Sequence, residues 1–177
     1  GVLSELYEYR KCGMNIYCSE GDWYLKGDNT FLSNEVLARF DNKIKDYMVF
    51  LSKEEKERVA DDAALMISWD ELRKRIIRWE EFANKHPELE ETEKEVKLEL
   101  KILIKIYTCG MPNTDIYNYS TKTLLDDLKM SYENFLKENS NSRYYGLISE
   151  VYSKLKINNF VVDDDYFKFI EIKLDKL

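Results

Sequence analysis

The fold is decided by residues 68–110, which read SWDELRKRIIRWEEFANKHPELEETEKEVKLELKILIKIYTCG. Ser68 and Glu71 match a capping box, in which a hydroxyl and a carboxylate satisfy the free amides at the start of a helix. Apolar residues follow at steps of three and four. The sequence therefore predicts an amphipathic helix over Trp69–Lys85 with one face turned inward.

A second helix is predicted over Pro87–Cys109, because proline suits a first helical turn and Gly110 is a typical stop. Acidic residues fill its first half and lysines its second half, which is the order that the helix dipole favours. Its apolar stripe is too wide for a helix that packs on one side only. We therefore expect this helix to be central in the fold.

Apolar periodicity predicts further helices on both sides of this pair. These helices are expected at Val2–Cys12, Asn34–Phe40, Lys43–Leu51, Thr121–Glu138, Arg143–Ile157 and Tyr166–Lys176. A second capping box, formed by Ser52 and Glu55, predicts the start of one more helix. Residues 14–30 contain short β-prone runs, which fit a small hairpin and an aromatic-rich loop equally well. The 6 glycines and 2 prolines are too few turn residues for an all-β fold.

The predicted fold class is all-α. We expect antiparallel helical hairpins packed as a bundle or a short repeat-like array, in a single domain over residues 1–177. Residues 32–177 would form the helical body, and residues 1–31 an irregular, aromatic-rich segment. A chain of this length buries enough surface to form a core without metal ions or disulfide bonds.

The net charge of −7 disfavours nucleic acid as a partner, because binding it depends on clustered Lys and Arg facing phosphates. No apolar run approaches about 20 residues, so no transmembrane segment is predicted. The sequence also contains no glycine-rich phosphate-binding loop. Its first residue is Gly1 rather than Met, which suggests that an upstream segment such as an export signal or a lipid anchor has been removed.

Two segments of the chain are alike. Residues 79–87 and 132–140 each carry an aromatic residue, an acid, a phenylalanine one turn later and then a polar turn. Residues 132–155 resemble the tetratricopeptide-like helical hairpins of exported bacterial lipoproteins, in which a helix ending in Phe-Leu-Lys leads through an Asn/Ser turn into a helix bearing tyrosines. This resemblance implies export and contact with other proteins, and it implies no enzymatic activity.

The histidines and cysteines exclude most metal-dependent chemistry. His86 is the only histidine, and the three cysteines are Cys12, Cys18 and Cys109. This set is too small and too dispersed for a zinc or di-iron site, so no metal ion or other cofactor is predicted. We interpret His86 as a turn residue near a helix C-terminus. Cys12 and Cys18 either close a short loop through a disulfide or stay reduced.

Paired carboxylates allow acid–base catalysis of the kind found in glycosidases. Adjacent residues of a helix point about 100° apart, so each pair offers at most one inward carboxylate. Helix caps and solvated faces account for most of the pairs, and no catalytic residue is predicted. Asp61 and Asp62 are the pair to inspect first, since the apolar residues 63–67 follow them.

Aromatic residues crowd the N-terminal segment and the loop after the central helix. The candidate binding residues are Tyr17, Trp23, Tyr24, Phe31, Asn113, Asp115, Tyr117 and Tyr119. Exposed Tyr and Trp are typical of recognition surfaces. The alternative interpretation is that these aromatic residues fill a minor core beneath a long loop.

The expected function is that of a non-catalytic binding or scaffold protein, exported to the periplasm or cell surface, that engages a protein or peptide partner. One alternative is an acidic cytoplasmic antagonist of the immunity type, whose negative surface covers a basic partner. A second alternative is a carboxylate-dependent hydrolase.

Overall fold

The computed structural model of the chain describes residues 2–19, 21–28, 31, 37–87 and 90–177. The chain divides into two compact units, unit 1 at Gly1–Asp62 and unit 2 at Ala63–Leu177. The described residues form seven helices and two short pairs of strands, so the fold is mostly but not wholly α-helical. The organisation as a single domain stays a prediction.

Unit 1 begins with helix α1, Val2–Lys11, and Gly13 ends it with a φ of +74°, as the sequence predicts. Strands β1, Met14–Ser19, and β2, Asp22–Gly27, then form an antiparallel hairpin. Of the two alternatives for this region, the hairpin is the one that the structure contains.

Helix α2 spans Asn42–Lys56, and the Asp41 carboxylate caps it by accepting a hydrogen bond from Lys43 N at 2.9 Å. The helix predicted to begin at Ser52 is wrong, because Ser52 lies inside α2. No glycine or proline interrupts residues 42–56, so the helix continues through the second capping box. Residues 34–36 of the helix predicted over Asn34–Phe40 lie outside the described residues, and its predicted end is wrong, because residues 38–40 form a turn in which the Phe40 N–H donates to the carbonyl of Leu37 at 3.1 Å.

Strands β3, Ala60–Asp61, and β4, Ala64–Leu65, lie on either side of the boundary between the units. Five helices follow in unit 2: α3 at Trp69–Lys85, α4 at Glu90–Cys109, α5 at Asp126–Glu138, α6 at Tyr145–Ile157 and α7 at Asp164–Leu174. No helix in the described part of the chain is long and apolar enough to cross a membrane.

Helix α3 has the predicted bounds, and Ser68 Oγ accepts a hydrogen bond from Glu71 N at 3.1 Å as a capping box requires. Helix α4 packs against both α3 and α7, which confirms its contacts on more than one side. Its stripe is nevertheless only partly covered, since Leu98 and Ile102 are exposed.

The predicted start of the next helix at Thr121 is wrong by five residues. Lys122 has a left-handed φ of +58°, which a helix does not allow. Thr123 and Leu124 instead form isolated β-bridges to Val161 and Tyr117. Helix α5 therefore begins only at Asp126, with two acidic residues in its first turn.

Tyrosine hydroxyls donate hydrogen bonds to backbone carbonyls at the C-terminus of α4, which lack partners within the helix. The hydroxyl of Tyr132 on α5 donates to the carbonyl of Tyr107 at 2.7 Å. The hydroxyl of Tyr166 on α7 donates to the carbonyl of Thr108 at 2.8 Å. Each tyrosine is buried, so the core joins three helices through hydrogen bonds as well as apolar contact.

Candidate functional site

The two faces of the β1–β2 hairpin differ in what they contact. On one face Tyr17 and Tyr24 stand opposite each other, with ring centroids 5.9 Å apart and nearly parallel rings. The Tyr17 hydroxyl donates to Glu55 Oε1 at 3.0 Å, and the Arg58 guanidinium lies 4.5 Å from the Tyr17 ring. Partial burial and the Glu55 carboxylate raise the pKa of Tyr17. This face lies against the C-terminal end of α2.

The other face of the hairpin is apolar and largely open to solvent. Trp23 stands opposite Cys18, and Leu25 stands opposite Ile16. Alternate residues of a strand share a face, so these four side chains form one patch. Trp23 is 72% exposed and Leu25 is also exposed. We call these four residues the hairpin patch.

The ring of Phe31 lies against Gly13, where only a residue without a side chain leaves room for it. Gly13 has a φ of +74°, and a Cβ atom at this position would lie 2.7 Å from the Phe31 ring. The ring therefore lies against the turn that joins α1 to β1, and the backbone N–H of Phe31 donates to the carbonyl of Asp28 at 3.0 Å. Phe31 is nonetheless an exposed side chain.

The candidate binding residues of the loop after α4 belong to unit 2. Asn113 and Asp115 are exposed, Tyr117 is half-buried and Tyr119 is 77% exposed. The ammonium group of Lys122 lies 4.7 Å from the Tyr117 ring centroid and 4.3 Å from that of Tyr119. Cation–π contact thus brings these two tyrosines to one lysine.

The first part of this loop is held by its backbone. Gly110 has a φ of +78°, and the backbone N–H of Met111 donates to the carbonyl of Thr114 at 2.9 Å. The Asn113 N–H donates to the carbonyl of Ala63 at 3.0 Å, and the Thr114 hydroxyl accepts a hydrogen bond from Leu65 N at 2.9 Å. The side chains of Asn113 and Asp115 therefore stand on a fixed turn.

Sequence reasoning missed Leu25 and Lys122. Leu25 lies two positions after Trp23, so period-two alternation was the signal that places both on one face of a strand. No comparable signal marks Lys122, because its contact with the tyrosines depends on a left-handed backbone conformation that glycine and asparagine adopt more readily than lysine.

All three cysteines have free thiols, and Cys12 and Cys18 are exposed. Of the two alternatives for Cys12 and Cys18, the reduced thiols are the one that the structure contains. Burial raises the pKa of the Cys109 thiol, which lies at the end of α4.

His86 is the C-terminal cap of α3, and its backbone N–H donates to the carbonyl of Phe82 at 3.1 Å. The interpretation of His86 as a turn residue is confirmed. Its ring lies 4.7 Å from the Phe82 ring, beside a cavity of about 230 Å³ between α3 and α4. Val96 and Leu100 contribute apolar walls to this cavity, and Lys97, Glu93 and Arg143 contribute charges.

The buried charges of unit 2 join its helices to one another. Arg73 donates to Asp70 Oδ1 at 2.8 Å and to Glu138 Oε2 at 2.8 Å. The hydrogen bond from Arg73 lowers the pKa of Asp70 to about 2. Glu80 is buried and accepts hydrogen bonds from Ser142 Oγ and Arg143 N, both at 2.6 Å.

The pair Asp61 and Asp62 is not buried by the apolar residues that follow it. Asp61 is half-exposed and lies 3.6 Å from the Arg58 guanidinium. Asp62 is exposed and has a φ of +46°, so its backbone forms part of a turn. Among the residues that the structure describes, no group of three or more His, Cys, Asp or Glu side chains is placed to hold a metal ion.

Comparison of the chain with known protein families, with curated proteins and with solved structures found no match.

Proposed function

We propose that this chain is a non-catalytic binding protein that engages a protein or peptide partner through the hairpin patch of unit 1. The observation that carries this proposal is the unequal burial of the two units. In the described part of unit 1, nine large apolar side chains are exposed and Leu37 is the one apolar side chain that is fully buried. The described part of unit 2 contains 24 buried apolar residues.

Exposed apolar area of this kind is characteristic of interaction surfaces, because it costs free energy in water and is recovered when a partner covers it. The hairpin patch also has the composition of a binding hot spot. Trp23 offers a large rigid ring with few rotatable bonds, and Leu25 adds an aliphatic neighbour on the same face. Tyr24, on the opposite face of the hairpin, and Phe31, against the turn at Gly13, are further exposed aromatic side chains of unit 1.

We propose that the helices of unit 2 form antiparallel hairpins, as the periodicity and the tetratricopeptide-like resemblance predict. This proposal is supported by contacts of α3 with α4, α5 with α6 and α6 with α7, each pair being consecutive in sequence. Short connections favour antiparallel neighbours.

The test uses the intact chain as bait for a random peptide library displayed on phage. Synthetic copies of the enriched peptides are then titrated by calorimetry against the wild type, Trp23→Ala and Ile157→Ala. Ile157 is the matched control, because it is an 84% exposed apolar residue of unit 2. We expect Trp23→Ala to weaken binding at least tenfold and Ile157→Ala to leave it unchanged. Failure to enrich any peptide, or equal binding by Trp23→Ala, would contradict the proposal.

Export to the periplasm or cell surface remains part of the proposal. The residues encoded upstream of Gly1 test it directly, since an export signal ends in a small-residue cleavage site or a lipid-modified cysteine. A cytoplasmic location would instead favour the acidic antagonist. In that case a basic protein partner should bind with an affinity that falls steeply as salt is added.

A further inference from the structure

Strand β2 has an edge to which a further strand can add. The β1–β2 hairpin is a two-stranded sheet, in which Met14 pairs with Gly27 and Ser19 pairs with Asp22. All six residues of β2 are exposed. Within the described residues β1 is its one strand partner, so the other edge of β2 presents backbone groups to solvent.

The hydrogen-bond register shows which backbone groups these are. The N–H of Asp28 donates to the carbonyl of Gly13 at 2.8 Å, which makes Gly13 and Asp28 a hydrogen-bonded pair. Such pairs alternate along an antiparallel ladder. The N–H and carbonyl groups of Tyr24 therefore face β1, whereas those of Trp23 and Leu25 point away from it.

The outward backbone groups and the hairpin patch belong to the same residues. Trp23 and Leu25 carry the free N–H and carbonyl groups and also the exposed apolar side chains on one face. A strand added at this edge would form main-chain hydrogen bonds and at the same time place alternate side chains against the patch. This combination is the basis of recognition by strand addition, in which main-chain bonds give affinity and side chains give specificity.

Charge distinguishes between two possible occupants. If a second copy of β2 paired with Leu25 opposite Leu25, Asp22 would stand opposite Asp28 at both ends of the strand. Like charges directly opposite one another destabilise a sheet. Unit 1 also contains 13 acidic and 9 basic residues, so its own copy is a poor electrostatic match.

Building on the proposed binding function, we propose that the partner is an extended basic peptide segment that adds to β2 as a third strand. Its alternate residues are apolar and cover Trp23 and Leu25, and its basic residues lie near Asp22 and Asp28.

The first test is amide hydrogen exchange measured by NMR, with and without a saturating peptide from the phage selection. The amides of Trp23 and Leu25 should exchange at least tenfold more slowly in the complex. The amide of Tyr24, already bonded to β1, should change little and serves as the internal control. Enriched peptides should carry alternating apolar residues and flanking Lys or Arg.

A variant separates the backbone contribution from that of the side chain. Leu25→Pro removes an outward N–H, and edge strands tolerate proline where the missing N–H faces solvent. We expect it to weaken binding at least tenfold, and more than Leu25→Ala, which keeps the N–H. The signals of the Tyr17 and Tyr24 rings report whether the hairpin is intact in each variant.

Three results would overturn this proposal. Peptides that depend on Trp23 but leave the Trp23 and Leu25 amides unprotected would refute strand addition while the proposed binding function stands. Protection that rises with protein concentration in the absence of peptide would identify a second copy as the occupant. Failure to enrich any peptide would remove both proposals.

Discussion

The carboxylate of Glu80 on α3 accepts a hydrogen bond from the backbone N–H of Arg143 at 2.6 Å, just before α6 begins. The same carboxylate accepts a hydrogen bond from the hydroxyl of Ser142 at 2.6 Å. Glu80 is buried, and both of these hydrogen bonds are partly shielded from solvent. One side chain of α3 thereby fixes the turn that leads into α6.

Replacing Glu80 with alanine should destabilise unit 2. Glu80→Ala leaves the N–H of Arg143 and the hydroxyl of Ser142 without an acceptor, at a cost of about 2–3 kcal/mol. Urea unfolding followed by circular dichroism measures the change. The neighbouring exposed residue gives the control, because Glu81→Ala should change stability by less than about 0.5 kcal/mol. Equal losses in the two variants would show that the Glu80 contacts contribute nothing.

The two serines that match a capping box show how far sequence reasoning extends. Ser68 is preceded by a turn, and its hydroxyl accepts a hydrogen bond from Glu71 N as predicted. Ser52 has the same local pattern but lies within α2, because the residues before it already form a helix capped by Asp41. A capping motif therefore predicts a helix start only where the preceding residues leave the helical conformation.

The exposure of Trp23 could not be predicted from local pattern. Trp69 and Trp79 lie in a helix whose apolar face is predicted to turn inward, and both are buried, whereas Trp23 lies in strand β2 and is exposed. Periodicity places an aromatic residue on one face of a helix or strand, but what covers that face depends on contacts distant in sequence. The sequence alone shows that Trp23 and Leu25 would share one face of a strand. Only the structure shows that their side chains are exposed to solvent.

The hydroxyl of Tyr166 should contribute measurably to stability. It donates to the carbonyl of Thr108, which has no partner within α4, and the side chain is 1% exposed. Tyr166→Phe removes that donor and should cost about 1–2 kcal/mol. Tyr119→Phe, on a 77% exposed ring, is the matched control and should be neutral. A neutral Tyr166→Phe would mean that water replaces the hydroxyl at the end of α4.

Buried tyrosines should make the fold sensitive to alkali. Burial raises the pKa of Tyr107, Tyr132 and Tyr166 above the ordinary value of 10.0. Below pH 10 both the folded and unfolded chains keep these protons, so the stability from the tyrosines is fully present. Above pH 10 the unfolded chain loses protons first, and stability falls by up to about 1.4 kcal/mol per pH unit for each tyrosine.

The free energy of unfolding measured in urea between pH 8 and pH 11.5 checks this dependence. Tyr166→Phe should have a shallower slope above pH 10 than the wild type, because one titrating group is removed. Tyr119→Phe should keep the slope of the wild type. Parallel curves for all three proteins would show that the buried hydroxyls do not control alkaline unfolding.

Asp70 should contribute to the loss of stability in acid. The hydrogen bond from Arg73 holds its pKa at about 2, below the ordinary value of 3.8. The stabilisation is therefore present above pH 4 and lost as the pH falls towards 2. Because the Asp70 side chain is 34% exposed, we expect Asp70→Asn to cost only about 1 kcal/mol at pH 7. The variant and the wild type should converge near pH 2, and a constant difference from pH 7 to pH 2 would contradict this assignment.

Gly110 lies at the start of the loop that carries Asn113 and Tyr119, and its backbone conformation should not tolerate a side chain. Its φ is +78°, and a Cβ atom would overlap the carbonyl oxygen of Thr114. Gly110→Ala combines a left-handed backbone with this overlap and should cost about 2–3 kcal/mol. The matched control is Gly146→Ala in α6, where nothing lies within 4 Å and alanine should add about 0.5–1 kcal/mol. Thermal unfolding ranks the two variants, and a Gly110→Ala protein as stable as the wild type would show that the loop can shift to accommodate the methyl group.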